Sequence, residues 1–323
     1  MESSTPVSAR YTKVNKSQGI FSRLLGQWEL QAMVVPGIIF ILVFSYLPMY
    51  GMIMAFQNYQ LGDIPGFSPW VGLENFKDFF MNDNFWLIIR NTFGISLYRL
   101  LFASTMPIIL ALLLNEVYHS SFKKAIQTIS YLPHFVSWVV VAGLFFELLS
   151  VDGGVVNEVL MKLHIYKEPV MYFGEPRFFW PILVISDVWK DVGWNSILFL
   201  AAIAAIDPEL YQSAEIDGAG RFKKMWHVTL ACIKPTIAVI LILDVGGILS
   251  VGFEQIMLLT NNFRNDMLVE AYETIDTYVY KMGVQLSRYS FAAAAGIFKS
   301  LLCVFLLTLA NTFSKKIGEE SLW

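Results

Sequence analysis

The sequence predicts an all-α integral membrane protein: six transmembrane helices, with a short helix on one membrane face between the fourth and the fifth. Three observations carry this expectation. Of 323 residues, 56% are hydrophobic and 15% charged, with a mean hydropathy of +0.55, where a soluble domain carries about 25% charged residues. Six apolar stretches are long enough to cross ~30 Å of hydrocarbon at ~1.5 Å per residue. Between the fourth and the fifth lies a polar, acidic, glycine-punctuated interruption, Asp207 to Phe222, too long for a turn.

In chain order, residues 1–29 are polar and carry Arg10, Lys13, Lys16 and Arg23, with neither a short apolar core nor a small-residue cleavage site. They read as a tail and not a signal peptide. The spans follow at about 30–57, 86–115, 124–149, 178–206, 231–258 and 288–313, and 314–323 form a second tail. Each span is expected to be helical, because lipid offers no partner to an open backbone. Pro36, Pro48, Pro107 and Pro133 should kink theirs.

Basic residues set the orientation. The tails and even-numbered loops hold Arg10, Lys13, Lys16, Arg23, Lys123, Lys124, Arg221, Lys223, Lys224, Lys315 and Lys316. The longer odd-numbered loops hold only Lys77, Lys162, Lys167, Arg177, Arg264 and Lys281. Both termini and the Asp207–Phe222 interruption are therefore expected in the cytoplasm. The external loops, about 58–85, 150–177 and 259–287, are too short for a separate domain. No strong internal repeat or low-complexity linker is evident, so residues 30–313 read as one membrane domain.

Within the interruption, Asp207-Pro208-Glu209 has the chemistry of a helix start: a capping carboxylate, proline at the first helical position, and acid at the positive end of the dipole. Leu210 to Ile216 would add two turns. Gly218 and Gly220 would end them, and an amphipathic stretch from Arg221 to Val228 would lead back to the membrane. Composition leaves two uses open for such a helix: docking into a groove on a soluble partner, or lying on the lipid surface.

"YQSAEIDGAGRFKKMWHVTLACIKP" resembles the EAA loop of permease subunits of binding-protein-dependent ABC importers. The family pattern is E-A-A, three residues, Gly, nine residues, then I-x-L-P. Gln212-Ser213-Ala214 take the first positions, Gly218 the glycine, and Val228-Thr229-Leu230-Ala231 the last. Gln, Ser and the final Ala depart from the pattern, and Asp217-Gly218-Ala219 with Pro235 resemble its carbohydrate branch. "FSYLPMYGMIMAF", "PIILALLLNE" and "YLPHFVSWVVVAGL" extend the likeness over nearly the whole chain, toward complex-sugar permeases related to the maltose importer's larger membrane subunit. Within that branch the chain is similar to permeases of oligosaccharide or alginate importers.

The resemblance implies the type I importer fold. It implies import of an oligosaccharide, in the acidic case an alginate-like one, by alternating access across a bacterial inner membrane. The implied partners are a second permease, two cytoplasmic ATPases that bind the ATP and magnesium, and an external solute-binding protein. It also makes the stretch 207–228 a coupling loop, with Tyr211, Gln212, Ser213, Ala214, Glu215, Asp217, Gly218 and Ala219 seated on an ATPase. This chain itself carries no phosphate-binding loop, since "DGAGR" lacks the spacing, and it is expected to be neither an enzyme nor a cofactor-binding protein.

Ionisable residues inside spans are candidate path residues. Arg99, Asp244 and Lys299 each fall ~17–20 Å along their helices, near the midplane. They read either as an Asp244–Lys299 ion pair with Arg99 capped by carbonyls, or as surplus positive charge screening a carboxylated cargo. Asp187, Lys190 and Asp191 lie nearer the external mouth, with Lys190 placed to neutralise the two acids. Trp189 and Trp194 beside them suit either sugar stacking or the interfacial aromatic belt. Glu147 and Glu254 fall at the outer boundary, either solvated or facing the binding protein. The family places cargo contacts on span five, where Asp244, Ile248, Val251 and Gln255 share a face by helical steps.

His119, His134, His164 and His227 do not cluster at metal-ligand spacing. Cys232 and Cys303 read as small buried hydrophobes. No basic tract suggests nucleic acid at a net charge of −3. An ion-coupled secondary transporter would show paired repeats with broken helices, and a membrane enzyme a polar catalytic cluster at one face. Neither signature is evident in the sequence.

Overall fold

Prolines and glycines decide where the helices stop. The computed structural model describes residues 28–250 and 252–317, so the basic residues expected in the N-terminal tail, and Val251, lie outside the described residues. The chain divides into two units at Met52/Ile53. The first holds α1 (Trp28–Ile41), which runs through a π-helical turn, Leu42–Tyr46, just before Pro48. That turn widens the spiral where proline removes an N–H from the ladder.

The second unit begins in the segment between the first two spans, which carries α2 (Glu74–Phe80). The second span is α3 (Phe85–Ala103) and α4 (Thr105–Asn115), interrupted at Ser104, three residues before Pro107. The expected third span, 124–149, is not one helix. It is α5 (Ser120–Tyr131), a 3₁₀ turn Leu132–Phe135 containing Pro133, and α6 (Trp138–Leu148), with a bend of 104° between the halves. Val136 and Ser137 are extended there, and no helix continues through extended residues.

After α7 (Val155–Lys162), α8 (Pro176–Ala204) runs unbroken for 29 residues. A 70° bend leads into α9 (Pro208–Ile216), then come α10 (Arg221–Lys224), a π turn Met225–Thr229, and α11 (Leu230–Gly246). The fifth span was expected to reach 258. Instead its helix stops at Gly246-Gly247 and resumes as α12 (Phe253–Leu259), with Gly252 left-handed at φ +47°. The loop between the fifth and sixth spans folds into α13 (Val269–Tyr272) and α14 (Ile275–Tyr280), and α15 (Tyr289–Ile317) forms the last span.

Three apolar clusters join these elements. Ile95, Val141, Leu183, Ile256 and Tyr272 bring α3, α6, α8, α12 and α13 together. Phe79, Ile88, Tyr278 and Phe291 join α2, α3, α14 and α15, and Ala111, Leu112, Phe199, Ile203 and Ile233 join α4, α8 and α11. Tyr272 is fully buried and donates to the Phe263 carbonyl at 3.1 Å. Burial, reinforced by the Glu273 and Asp266 carboxylates, pushes its hydroxyl up to about 12. Large apolar side chains such as Leu198, Leu243, Leu301 and Phe305 remain exposed, as expected of a chain whose solvent is lipid. Cys232 is among the exposed residues, contrary to the expected burial.

Helix α8 approaches α5 closely at Gly193. A Cβ there would stand 2.0 Å from the Ser130 carbonyl oxygen. The glycine is what lets the two backbones meet.

Candidate functional site

A cavity of about 310 Å³ opens between α3, α8 and α11, lined by Ser96, Arg99, Ser104, Asp187, Asp191, Asn195, Asp244 and Ser250 among others. Its wall includes Gly247, Ile248 and Ser250 from the non-helical break in the fifth span. Irregular backbone at membrane depth survives only where protein or water satisfies it. Here the Ser96 hydroxyl donates to the Ile248 carbonyl at 2.6 Å.

The charges pair differently from the expected scheme. Arg99 Nη2 donates to Asp187 Oδ1 at 2.6 Å, with the two side chains 27% and 7% exposed. Asp187 is thus the buried partner. Asp244 accepts from Ser104 Oγ at 2.6 Å, and Lys299 instead lies 2.5 Å from Asp276 Oδ1 on α14 and 3.1 Å from Ser250 Oγ. The Asp244–Lys299 pair is not formed, and Arg99 is held by a carboxylate instead of carbonyls. Lys299 does not line the cavity, where three carboxylates (Asp187, Asp191, Asp244) face one guanidinium. The expected positive surplus is therefore reversed within this chain.

Lys190 makes no direct ion pair with its helical neighbours. Its ammonium donates to the His134 carbonyl at 2.5 Å and reaches at 3.5 Å the Pro133 carbonyl, which also accepts the Val136 N–H at 3.1 Å, so it serves the end of the helical turn where the third span breaks. It also lies 5.6 Å from the Trp138 ring centroid. A cation at a helix C-terminus satisfies those oxygens and the dipole together. Asp191 pairs with His134 Nδ1 at 2.7 Å, and the His134 ring stacks on Trp194, centroids 4.4 Å apart and planes 3° apart. Trp189 meets Phe145 edge-on at 6.3 Å. Both tryptophans are 42% exposed.

The expected common face on span five does not exist, because the helix ends before it. Asp244 and Ile248 line the cavity, whereas Gln255 is 2% exposed and donates to the Leu183 carbonyl and Ser186 Oγ. Glu147 and Glu254 are exposed. The glycines 246, 247 and 252 were the overlooked signal for the break. Nothing local marked Asp276 or Ser104 as partners of midplane charges, since one lies in a loop and the other is an ordinary serine.

The loop 207–228 is built as its chemistry dictates. Asp207 Oδ1 accepts the Glu209 N–H at 2.9 Å, capping α9, and Pro208 opens it. Gly218 closes it at φ +76° with the Ala219 N–H bonded to the Ala214 carbonyl. Tyr211 shares a 3.0 Å hydrogen bond with the buried Thr229, and Glu215 meets Lys224 at 3.4 Å, so α9 is tied to the root of the fifth span. Gln212, Glu215, Asp217 and Ala219 are not buried, nor are Ser213, which bonds its own helix at Glu209, and Ala214. Ile216 and Phe222 stand 87% and 82% exposed. That surface offers apolar anchors set among exposed charges, Glu209, Glu215 and Asp217 on one side and Arg221 and Lys223 on the other.

Among the described residues no group of three or more His, Cys, Asp or Glu could hold a metal.

Residues 103–319 match the family model described as "Binding-protein-dependent transport system inner membrane component". Protein LplB of Bacillus subtilis is 44% identical over 296 residues, 91% of either chain. The polygalacturonan/rhamnogalacturonan transport system permease YteP of the same organism is 42% identical over 98% of this chain and 97% of its own. A solved bacterial alginate ABC transporter, in complex with an alginate pentasaccharide-bound periplasmic protein, contains a chain that superposes with a TM-score of 0.85. It is 42% identical, over 94% of this chain and 99% of that one.

Proposed function

Because this chain belongs to the family of binding-protein-dependent transport system inner membrane components, we propose that it is the multi-pass permease through which an ATP-driven importer passes an oligosaccharide into the cytoplasm. The observation that carries the mechanism is α9: a capped helix, bent 70° from the preceding span and closed by a left-handed glycine. Such an element moves as a rigid piece with α8 and α11. When two ATPases, binding ATP and magnesium, close on each other, Tyr211–Ala219 transmits the displacement and the cavity changes its side of access. ATP hydrolysis belongs to those subunits, and a second permease completes the cargo path. The termini and α9 lie on the cytoplasmic side, where the basic residues concentrate.

The named cargoes of the relatives, polygalacturonan/rhamnogalacturonan and alginate, all contain uronates, which favours an acidic oligosaccharide delivered by an external binding protein. In this chain Ser96, Ser104, Asn195, Asp191 and Asp244 would then read hydroxyls, with Arg99 the cation nearest a cargo carboxylate and the second permease supplying the others. The three carboxylates of the cavity favour a second reading, a neutral oligosaccharide. The broken third and fifth spans are features an ion-coupled transporter also uses, and membership of this family decides against that alternative.

The test is co-purification with the ATPases from the native source. ATPase stimulation is then measured with the binding protein loaded with uronate or with neutral oligosaccharides. Stimulation by uronates alone supports the first cargo reading and stimulation by neutral sugars alone the second. Absence of any co-purifying ATPase would overturn the importer assignment.

A further inference from the structure

Arg221 makes a long-range contact at the cytoplasmic end that the coupling argument does not use. It opens α10, and its guanidinium reaches the end of α4, 105 residues away in sequence. Nε donates to Glu116 Oε2 at 3.0 Å and Nη2 donates to the Glu116 backbone carbonyl at 2.6 Å. Glu116 is the residue that caps α4, so this carbonyl is one a helix end leaves unpaired. The cation also sits at the negative end of the helix dipole. One planar guanidinium grips side chain and main chain of the same residue, so it fixes the position of the helix end as well as its charge.

Helices α8 and α11 continue covalently into the loop that contains α9 and α10, and any displacement of α9 reaches them directly. Helix α4 has no such covalent route. Ala111 and Leu112 pack it against Phe199, Ile203 and Ile233, and apolar contacts of this kind are non-directional. The guanidinium supplies the direction.

We propose that the Arg221–Glu116 clamp is a positioning contact that yokes the second span to the coupling loop, so that the second, fourth and fifth spans move together when α9 is displaced. This rests on the reading that α9 docks on an ATPase. The pair is exposed, with Arg221 at 72% and Glu116 at 31%. Exposed ion pairs contribute little to static stability, so a merely structural clamp would have little effect on anything. A yoke would alter coupling while leaving insertion and melting as they are.

The assembled importer tests this without knowledge of the cargo. Cys232 and Cys303 are first replaced by Ser, and Val188→Cys in the cavity wall reports access. Its rate of labelling by an impermeant maleimide is measured with and without ATP, magnesium and vanadate, giving a ratio of rates. Arg221→Ala should shrink that ratio by roughly five- to tenfold, at the lower end of the usual span of coupling strengths, with ATPase co-purification and melting temperature unchanged. Arg221→Lys should fall between. The charge swap Glu116→Arg/Arg221→Glu should recover at least half of the loss, although it cannot rebuild the carbonyl contact. A wild-type ratio in Arg221→Ala, or a swap whose loss is the sum of its two singles, overturns the yoke. A starting protein that holds ATPase but shows no nucleotide-dependent labelling overturns the docking reading instead.

Discussion

Removing Arg99 separates a structural ion pair from a cargo contact. Asp187 is 5% exposed and Arg99 meets it at 2.6 Å. Without the guanidinium a nearly buried carboxylate is left unpaired, a loss of about 3–5 kcal/mol in comparable pairs. Arg99 borders the cavity and is 27% exposed, so water relieves part of the cost and about 3 kcal/mol is expected for Arg99→Gln. At roughly 2 °C per kcal/mol for a chain of this length, thermal unfolding in detergent should drop by about 6 °C. Asp187→Asn should cost less, about 1–2 kcal/mol, because the freed guanidinium can turn to the cavity. The double variant removes both charges and should cost no more than the milder single, a coupling energy of about 3 kcal/mol or more. Losses that add to within ~0.5 kcal/mol would refute the pair. An unchanged melting temperature with a raised KM for cargo would return Arg99 to the role of a cargo contact.

Other positions give sharper local tests. At Gly218 a Cβ would meet no atom within 4 Å, so φ +76° alone sets the cost of a side chain. Gly218→Asn should keep transport, whereas Gly218→Val should strain the turn by ~1–2 kcal/mol and lower uptake per ATP hydrolysed in vesicles. Lys190→Met removes the donor to the His134 carbonyl and should cost ~1–3 kcal/mol in thermal unfolding, with KM for cargo unchanged. Gly193→Ala drives a methyl group into the Ser130 carbonyl, and no rotamer change relieves it. A loss of at least ~1–3 kcal/mol should appear as reduced yield of folded protein. Lys299→Ala should affect acidic and neutral cargo alike, since Asp276 holds the ammonium outside the cavity wall; selective loss of acidic uptake would contradict this.

What can be read from the chain follows from how local each cause is. The cap at Asp207, the proline after it and the glycine at 218 act within a few residues, so α9 is visible with its ends. Hydropathy locates the spans but cannot show that two of them break. The break at Gly246-Gly247 is marked in the sequence by glycines that a long apolar run obscures. The one at Val136-Ser137 is marked only by Pro133, whose usual effect is a kink. Pairing is least visible. Arg99 lies 88 residues from Asp187 and Lys299 lies 23 from Asp276, and matching charges by their depth in the spans joins Lys299 to the wrong acid. Lys190 escapes for a related reason: its partners are backbone carbonyls exposed by a break that the apolar pattern does not reveal.

The pairing has an electrical consequence. Moving one elementary charge across a membrane potential does about 2.3 kcal/mol of work per 100 mV. If the helices rock with Arg99 still on Asp187 and Lys299 still on Asp276, each pair crosses the field as a neutral unit and that work nearly vanishes. The resting voltage then does no work on those two pairs, and any voltage dependence of turnover has to come from Asp244, whose partner is a serine hydroxyl, or from charge on the cargo itself. Turnover measured against an imposed diffusion potential therefore reads the charge of what is carried more directly than the charge of the carrier.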